Sequence, residues 1–236
     1  MKTIYLDNSA TTAQRREVTE TMLSAMENTY GNPSSLHRMG VEAEKLVKAS
    51  RKAISASLGV SEDEIYFTSG GTESDNTAIL GACAALKRSG SHIITTAIEH
   101  PAALECFRKL ESEGFSVTYL SPDRNGIVSA EKVRSALRED TILVSVMHVN
   151  NETGAIQPVE EIGALLSGRE HTVFHCDAVQ SFGKIPVPVR AAGIGALSAS
   201  GHKIHGPKGV GILFVDHNMR IVPYMIGGGQ ERGMRS

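Results

Sequence analysis

The stretch Glu64-Ile65-Tyr66-Phe67-Thr68-Ser69-Gly70-Gly71-Thr72-Glu73 runs a short apolar segment into a glycine turn, and an apolar stripe over residues 78–86 follows it. Extended run, turn and helical stripe in that order predict a βα unit. The alternation continues on both sides. Upstream, residues 42–54 place apolar side chains at spacings of three and four, and the pattern persists to Gly59, predicting an amphipathic helix with a glycine stop. Downstream, apolar runs at 92–95, 115–120, 142–147 and 172–175 are separated by helical patterns such as 102–110 and 130–137. Interleaved strands and helices predict a mostly parallel sheet wrapped by helices. No repeat or low-complexity tract interrupts it, and Gly227-Gly228-Gly229 is expected to mark a flexible exit near the domain's end.

Bulk properties exclude several classes. The chain has 236 residues, 41% of them hydrophobic, enough for at least one full core. Lys plus Arg total 24 against 26 Asp plus Glu, so no basic field invites a nucleic acid. The start, Met1-Lys2-Thr3-Ile4-Tyr5-Leu6-Asp7, lacks a secretion signal, and no apolar run is long enough for a bilayer, so no membrane partner and a cytoplasmic address are expected. Cys83, Cys106 and Cys176 form no Cys-x-x-Cys pair and read as reduced packing thiols in helix or strand patterns. No metal site is expected.

In a parallel sheet, ligands bind beyond the carboxyl ends of the strands, so the residues after each apolar run are the candidates. Gly70, Gly71 and Thr72 stand where a helix start offers free N–H groups to an anion, although an ordinary glycine turn with Thr72 as N-cap is the plainer alternative. His100 sits at a strand end before a helix, as a stacking platform for a planar cofactor or as a surface cap. His148-Val149-Asn150-Asn151-Glu152 offers amides for a phenolic oxygen or a substrate carboxylate, and is also common turn chemistry.

Asp177, in His175-Cys176-Asp177-Ala178-Val179-Gln180, needs a cationic partner in apolar surroundings. A protonated pyridine nitrogen, as in pyridoxal phosphate, would supply it; so would a structural Arg or Lys. Last comes Ser198-Ala199-Ser200-Gly201-His202-Lys203, where Lys203 follows an apolar stretch and could form an imine if burial lowers its pKa. Lysines are ordinarily solvated, but Ser200 and His202 are donors suited to phosphate oxygens, and Gly201, Gly206 and Gly209 allow a tight backbone.

Taken together, these residues resemble the NifS/IscS-like cysteine desulfurases, class V aminotransferase-like enzymes that depend on pyridoxal 5′-phosphate. The resemblance rests on Tyr5-Leu6-Asp7-Asn8-Ser9-Ala10-Thr11-Thr12, Gly31-Asn32-Pro33-Ser34-Ser35 with His37, Phe67 to Asn76, Glu99-His100, His148 to Glu152, Asp177 to Gln180 and Ser200 to Lys203. It implies an α/β fold, the large domain of an aspartate aminotransferase-like transferase with a mostly parallel seven-stranded sheet flanked by helices. Residues 16–236 would be that domain, with 1–15 associated with a small domain.

By resemblance Lys203 would carry the cofactor as an imine, His100 would stack on its ring and assist proton transfer, and Asp177 would pair with the ring nitrogen. Gln180 and Asn151 would lie near the phenolic oxygen, and Gly71, Thr72, Ser200 and His202 would bind the phosphate. The implied reaction takes L-cysteine to L-alanine, with sulfur passed as a persulfide to an acceptor or scaffold protein for iron–sulfur cluster or thio-cofactor biosynthesis, in a homodimer. Members run on past the point where this sequence stops, into a small domain with the nucleophilic cysteine and a carboxylate-binding arginine. The chain is therefore expected to be a fragment, inactive by itself. A related lyase acting on selenocysteine, or a short non-catalytic binding protein, are the alternatives.

Overall fold

The computed structural model describes residues 4–236. Seven strands, β1 (Ile65–Thr68), β2 (His92–Thr96), β3 (Ser116–Leu120), β4 (Thr141–Ser145), β5 (Val173–Asp177), β6 (Ala196–Ser200) and β7 (Gly211–Val215), form one sheet in the order β1-β7-β6-β5-β4-β2-β3. Neighbours from β3 across to β6 are parallel, and β7 runs antiparallel to both β6 and β1. The expected mostly parallel, seven-stranded sheet is therefore the architecture found.

Both faces of the sheet are covered, which is why its central strands read as nearly continuous buried runs. Helices α1 (Arg16–Asn28), α2 (Arg38–Leu58), α3 (Gly71–Leu86), α4 (Pro101–Ser112), α5 (Ala130–Ala136) and α6 (Val159–Leu166) fall between the strands or before them. Strand pleating sends neighbouring side chains to opposite sides. Ile93 packs with Ile79 of α3 and Phe107 of α4, whereas Ile94 joins Val133 of α5 and Ile162 of α6 in the larger core. Gly59 closes α2 in the left-handed conformation, at φ 65°, the glycine stop that the sequence predicts. Cys83, Cys106 and Cys176 are free and buried, in α3, α4 and β5.

Helix α3 starts at Gly71, in the glycine turn where the sequence places a helix start. Two local readings need correction. The run at 142–147 overshoots its strand: Val146 and Met147 remain buried after β4 has ended. And the chain does not leave the domain at Gly227-Gly228-Gly229. It turns back, so that Glu231 accepts hydrogen bonds from Arg51 at 2.8 and 2.9 Å and from the Phe67 N–H at 2.8 Å, while Arg235 meets Glu73 at 2.8 Å.

Residues 1–3 of the N-terminal segment lie outside the described residues. The part at 9–15 runs along the mouth of the site, where the Thr12 N–H donates to the His202 carbonyl at 2.9 Å and the Arg15 N–H to the His205 carbonyl at 3.1 Å. Among the described residues, no helix is long and apolar enough to cross a membrane.

Candidate active site

The carboxyl ends of β4, β5 and β6 and the starts of α3 and α4 surround a cavity of about 240 Å³. All nine residues singled out in the sequence line it. Gly71 and Thr72 come from the first turn of α3, His100 from the N-cap of α4, and Asn151 from the turn after β4. Asp177 ends β5 with Gln180 just beyond, Ser200 ends β6, and His202 and Lys203 lie in the 3₁₀ turn Gly201–Lys203.

One end of the cavity suits an anion. The N-cap of α3 is Gly70, at φ 153°, and no side chain caps the helix. Thr72 is thus the second helical residue rather than the cap, and the N–H groups of the first turn stay available at the positive end of the helix dipole. Glycine is required here by space. A Cβ on Gly71 would sit 2.7 Å from Val179 Cγ2, and one on Gly211, directly beneath, would sit 2.6 Å from Gly70 Cα. The turn is tied from outside by Glu73, which accepts from the Ser69 N–H at 2.7 Å.

The other end suits a cation and a carbonyl. Asp177 is 4% exposed; one of its oxygens accepts the Val179 N–H at 2.8 Å, and it forms no ion pair among the described residues. Burial raises its pKa, while the Val179 N–H and the charges of His100 and Lys203 work in the opposite direction. A structural Arg or Lys partner is therefore not what this carboxylate has. Lys203 is half-buried, and burial lowers its pKa against the opposing pull of Asp177 and Asp7. Its amine donates to the carbonyls of Ser9 and, at 2.9 Å, Ala10.

His100 is the helix cap that one of its two readings describes. Its Nδ1 accepts the Ala102 N–H at 3.1 Å as a helix cap, and the ring also faces the cavity. In the neutral ring that bond leaves Nε2 carrying the hydrogen. Gln180 donates to the Ser9 carbonyl at 2.8 Å and Asn151 to Glu152 at 2.9 Å. His202 approaches the Thr11 hydroxyl at 3.1 Å; burial, followed by the charges of Lys203 and Lys208, lowers its pKa. An uncapped helix start, a buried carboxylate lacking a cation and an amine at one wall together fit a planar group bearing a phosphate, a basic ring nitrogen and an aldehyde.

The sequence reading passed over Ala10, Asp75, Ala102, Met147 and Val179, which also line the cavity. Asp75 was findable: it follows Gly71 by four residues, so helical spacing places both on one face. It is 1% exposed and lies 3.5 Å from His175, whose ring nitrogens contact Ser145 at 2.8 Å and Ser198 at 3.1 Å. Burial holds the ring down at about 3 and pushes the Asp75 carboxyl well up, so the contact is between neutral groups rather than an ion pair.

Comparison with known proteins places this geometry. The Aminotransferase class-V family matches residues 4–234. The chain is 48% identical to the cysteine desulfurase IscS of Methanosarcina thermophila over 236 residues, all of this chain and 58% of that protein. It is 49% identical to the cysteine desulfurase IscS of Klebsiella pneumoniae (strain 342) over 238 residues, 99% of this chain and 59% of the other. A solved structure described as SspA in complex with cysteine superposes with a TM-score of 0.93 at 42% identity, covering 99% of this chain and 67% of that one. The chain thus spans about 60% of the length of these curated relatives. Cysteine desulfurases of this class depend on pyridoxal 5′-phosphate. Residues 4–234 make the chain a member of the Aminotransferase class-V family.

Proposed function

We propose that the chain binds pyridoxal 5′-phosphate through Lys203, and that its activity belongs to a cysteine desulfurase, taking L-cysteine to L-alanine with the sulfur leaving as a persulfide. The observation that carries this reading is the meeting of Lys203, Asp177 and the uncapped start of α3 in one cavity. Gly71, Thr72, Ser200 and His202 would hold the phosphate, Asp177 the ring nitrogen, Gln180 and Asn151 the phenolic oxygen, and His100 the ring face. When bound, the cofactor supplies an electron-accepting ring that loosens the bonds at an amino acid's α-carbon.

The protein's own groups do the rest. Lys203 must give up a proton and its hold on the Ser9 and Ala10 carbonyls before it can act as a nucleophile, and burial assists the first of these. His100 Nε2 carries the ring hydrogen while Nδ1 accepts from the helix, so Nε2 is the atom placed to give a proton, and it can take one back only after that hydrogen has left. Sulfur acceptance falls to none of this chain's cysteines: all three are buried, and burial pushes Cys83 and Cys106 up to about 12. The chain alone would bind cofactor without completing sulfur transfer. A homodimer in the cytoplasm, serving a sulfur-acceptor or scaffold protein in iron–sulfur cluster biosynthesis, belongs to the same proposal. Exposed Leu36, Met26 and Ile226 support a protein contact.

Lys203→Ala tests it. Adding cofactor to the unaltered chain should raise a visible absorbance band that the variant lacks, and an identical band in the variant would overturn the assignment. Alanine formation at full rate by the purified 236-residue chain would overturn the claim that it cannot finish the reaction.

A further inference from the structure

Beneath the cavity lie three carboxyl groups from three elements: Asp75 on α3, Glu99 on the loop between β2 and α4, and Asp177 at the end of β5. They are 1%, 4% and 4% exposed. Asp75 and Asp177 face the cavity directly. Two oxygens in the cluster, Asp75 Oδ1 and Glu99 Oε2, are buried with no hydrogen-bond partner. The cluster is no metal cage, since no group of three or more metal-ligating side chains assembles among the described residues. Three anions in a dry interior without a cation among them would repel one another, and burial already disfavours each charge.

We propose, building on the cofactor reading above, that Asp75 and Glu99 are positioning residues that stand as neutral acids beneath the cavity and leave Asp177 as the single carboxylate offered to a cationic ring nitrogen. The surroundings decide which group keeps the charge. Asp177 has the Val179 N–H and faces His100 and Lys203. Asp75 faces a neutral His175, held by Ser145 and Ser198, and the Ser198 hydroxyl, which alone favours its charge; its titratable neighbours are otherwise Asp177, Glu99, Cys106 and Cys176, none of them a cation. Glu99 accepts from the Thr96 hydroxyl at 2.6 Å and the Met147 N–H at 3.0 Å through Oε1 alone, which leaves the proton to Oε2. Its charged or titratable neighbours are Asp177, Asp75 and Cys176. The directions agree: burial and mutual repulsion push Asp75 well up and Glu99 to about 8.

Neutrality has a functional consequence. Charged, either group would raise the proton affinity of Asp177 and compete with it for the ring's positive charge; neutral, it fixes the charge at one place under the ring.

Infrared difference spectra of the cofactor-free chain at pH 7 test the protonation state directly. Two protonated-carboxyl bands are expected, one lost in Asp75→Asn and the other in Glu99→Gln. Absence of such bands, or their survival in both variants, overturns the proposal. Cofactor titration, with folding checked by circular dichroism, provides the second readout. Asn and Gln are neutral and of the same shape, so Asp75→Asn and Glu99→Gln should stay within about threefold of the parent Kd, whereas Asp177→Asn should weaken it at least tenfold. A tenfold loss in a folded Asp75→Asn or Glu99→Gln means that the group acts as an anion and the proposal fails. If the parent chain bound no cofactor, the function reading would fall, while the infrared bands would still decide the charge of Asp75 and Glu99.

Discussion

Glu99 gives the structure a pH-dependent handle on stability. Its carboxyl is buried, bonded through one oxygen only, and pushed from 4.5 to about 8, chiefly by burial. Below pH 4.5 the group is protonated whether the chain is folded or not, and it costs nothing. Between 4.5 and about 8 the folded chain keeps a proton that the unfolded chain releases, so stability falls as pH rises; above about 8 both forms are ionised and the slope ends. That interval, at about 1.36 kcal/mol per pH unit, amounts to on the order of 5 kcal/mol. Such a loss is comparable with the whole stability of many domains, about 5–15 kcal/mol.

Glu99→Gln keeps the shape and the Oε1 contacts but cannot ionise, so the variant should lack this slope. Urea denaturation followed by circular dichroism at pH 5, 7 and 9 measures it: parent and variant should be alike at pH 5, with the variant more stable by several kcal/mol at pH 9. His175 works in the opposite sense on the acid side. Its depressed pKa makes stability fall as pH drops from 6.5 toward about 3, and it does so equally in both proteins, so the difference isolates Glu99. Equal slopes for parent and variant between pH 5 and 9 would refute the claim that this carboxyl is buried as an acid.

Two other substitutions probe the frame. Gly211→Ala forces a Cβ to within 2.6 Å of Gly70 Cα and 2.7 Å of the Ala199 carbonyl oxygen; backbone cannot yield cheaply, so the loss should be about 1–3 kcal/mol, with weakened binding of pyridoxal phosphate visible in a spectroscopic titration. Glu231→Ala strands the guanidinium of Arg51, which is 8% exposed, and should cost about 3 kcal/mol in denaturant melts; a change below about 0.5 kcal/mol would show that the C-terminal return is ornamental to the fold.

Strand ends were legible in the sequence because a parallel sheet concentrates polar chemistry just beyond its apolar runs. Ser69 to Thr72 and Asp177 to Gln180 announce themselves as small or charged residues after hydrophobic ones, and Ser200 to Lys203 by two glycine-bounded turns around a lysine. Asp75 carries a weaker signal: it sits inside a helix, where only its spacing of four from Gly71 marks its face, and the folded chain brings it against His175 and Asp177. Strand β6, Ala196-Leu197-Ser198-Ala199-Ser200, is fully buried yet mostly small and polar, so hydropathy does not mark it. Contacts that cross nearly the whole chain, such as Ser9 and Ala10 with Lys203 or Arg51 with Glu231, leave no local pattern. For that reason the glycines at 227–229 read as an exit, when they serve as the turn that returns Glu231 to the domain.

One amine carries the account. The purified chain, mixed with pyridoxal 5′-phosphate and reduced with borohydride, should yield after digestion a single peptide bearing the pyridoxyl mass, with the label on Lys203. A label on Lys184, Lys208 or another lysine, or label scattered over many of them, would contradict it.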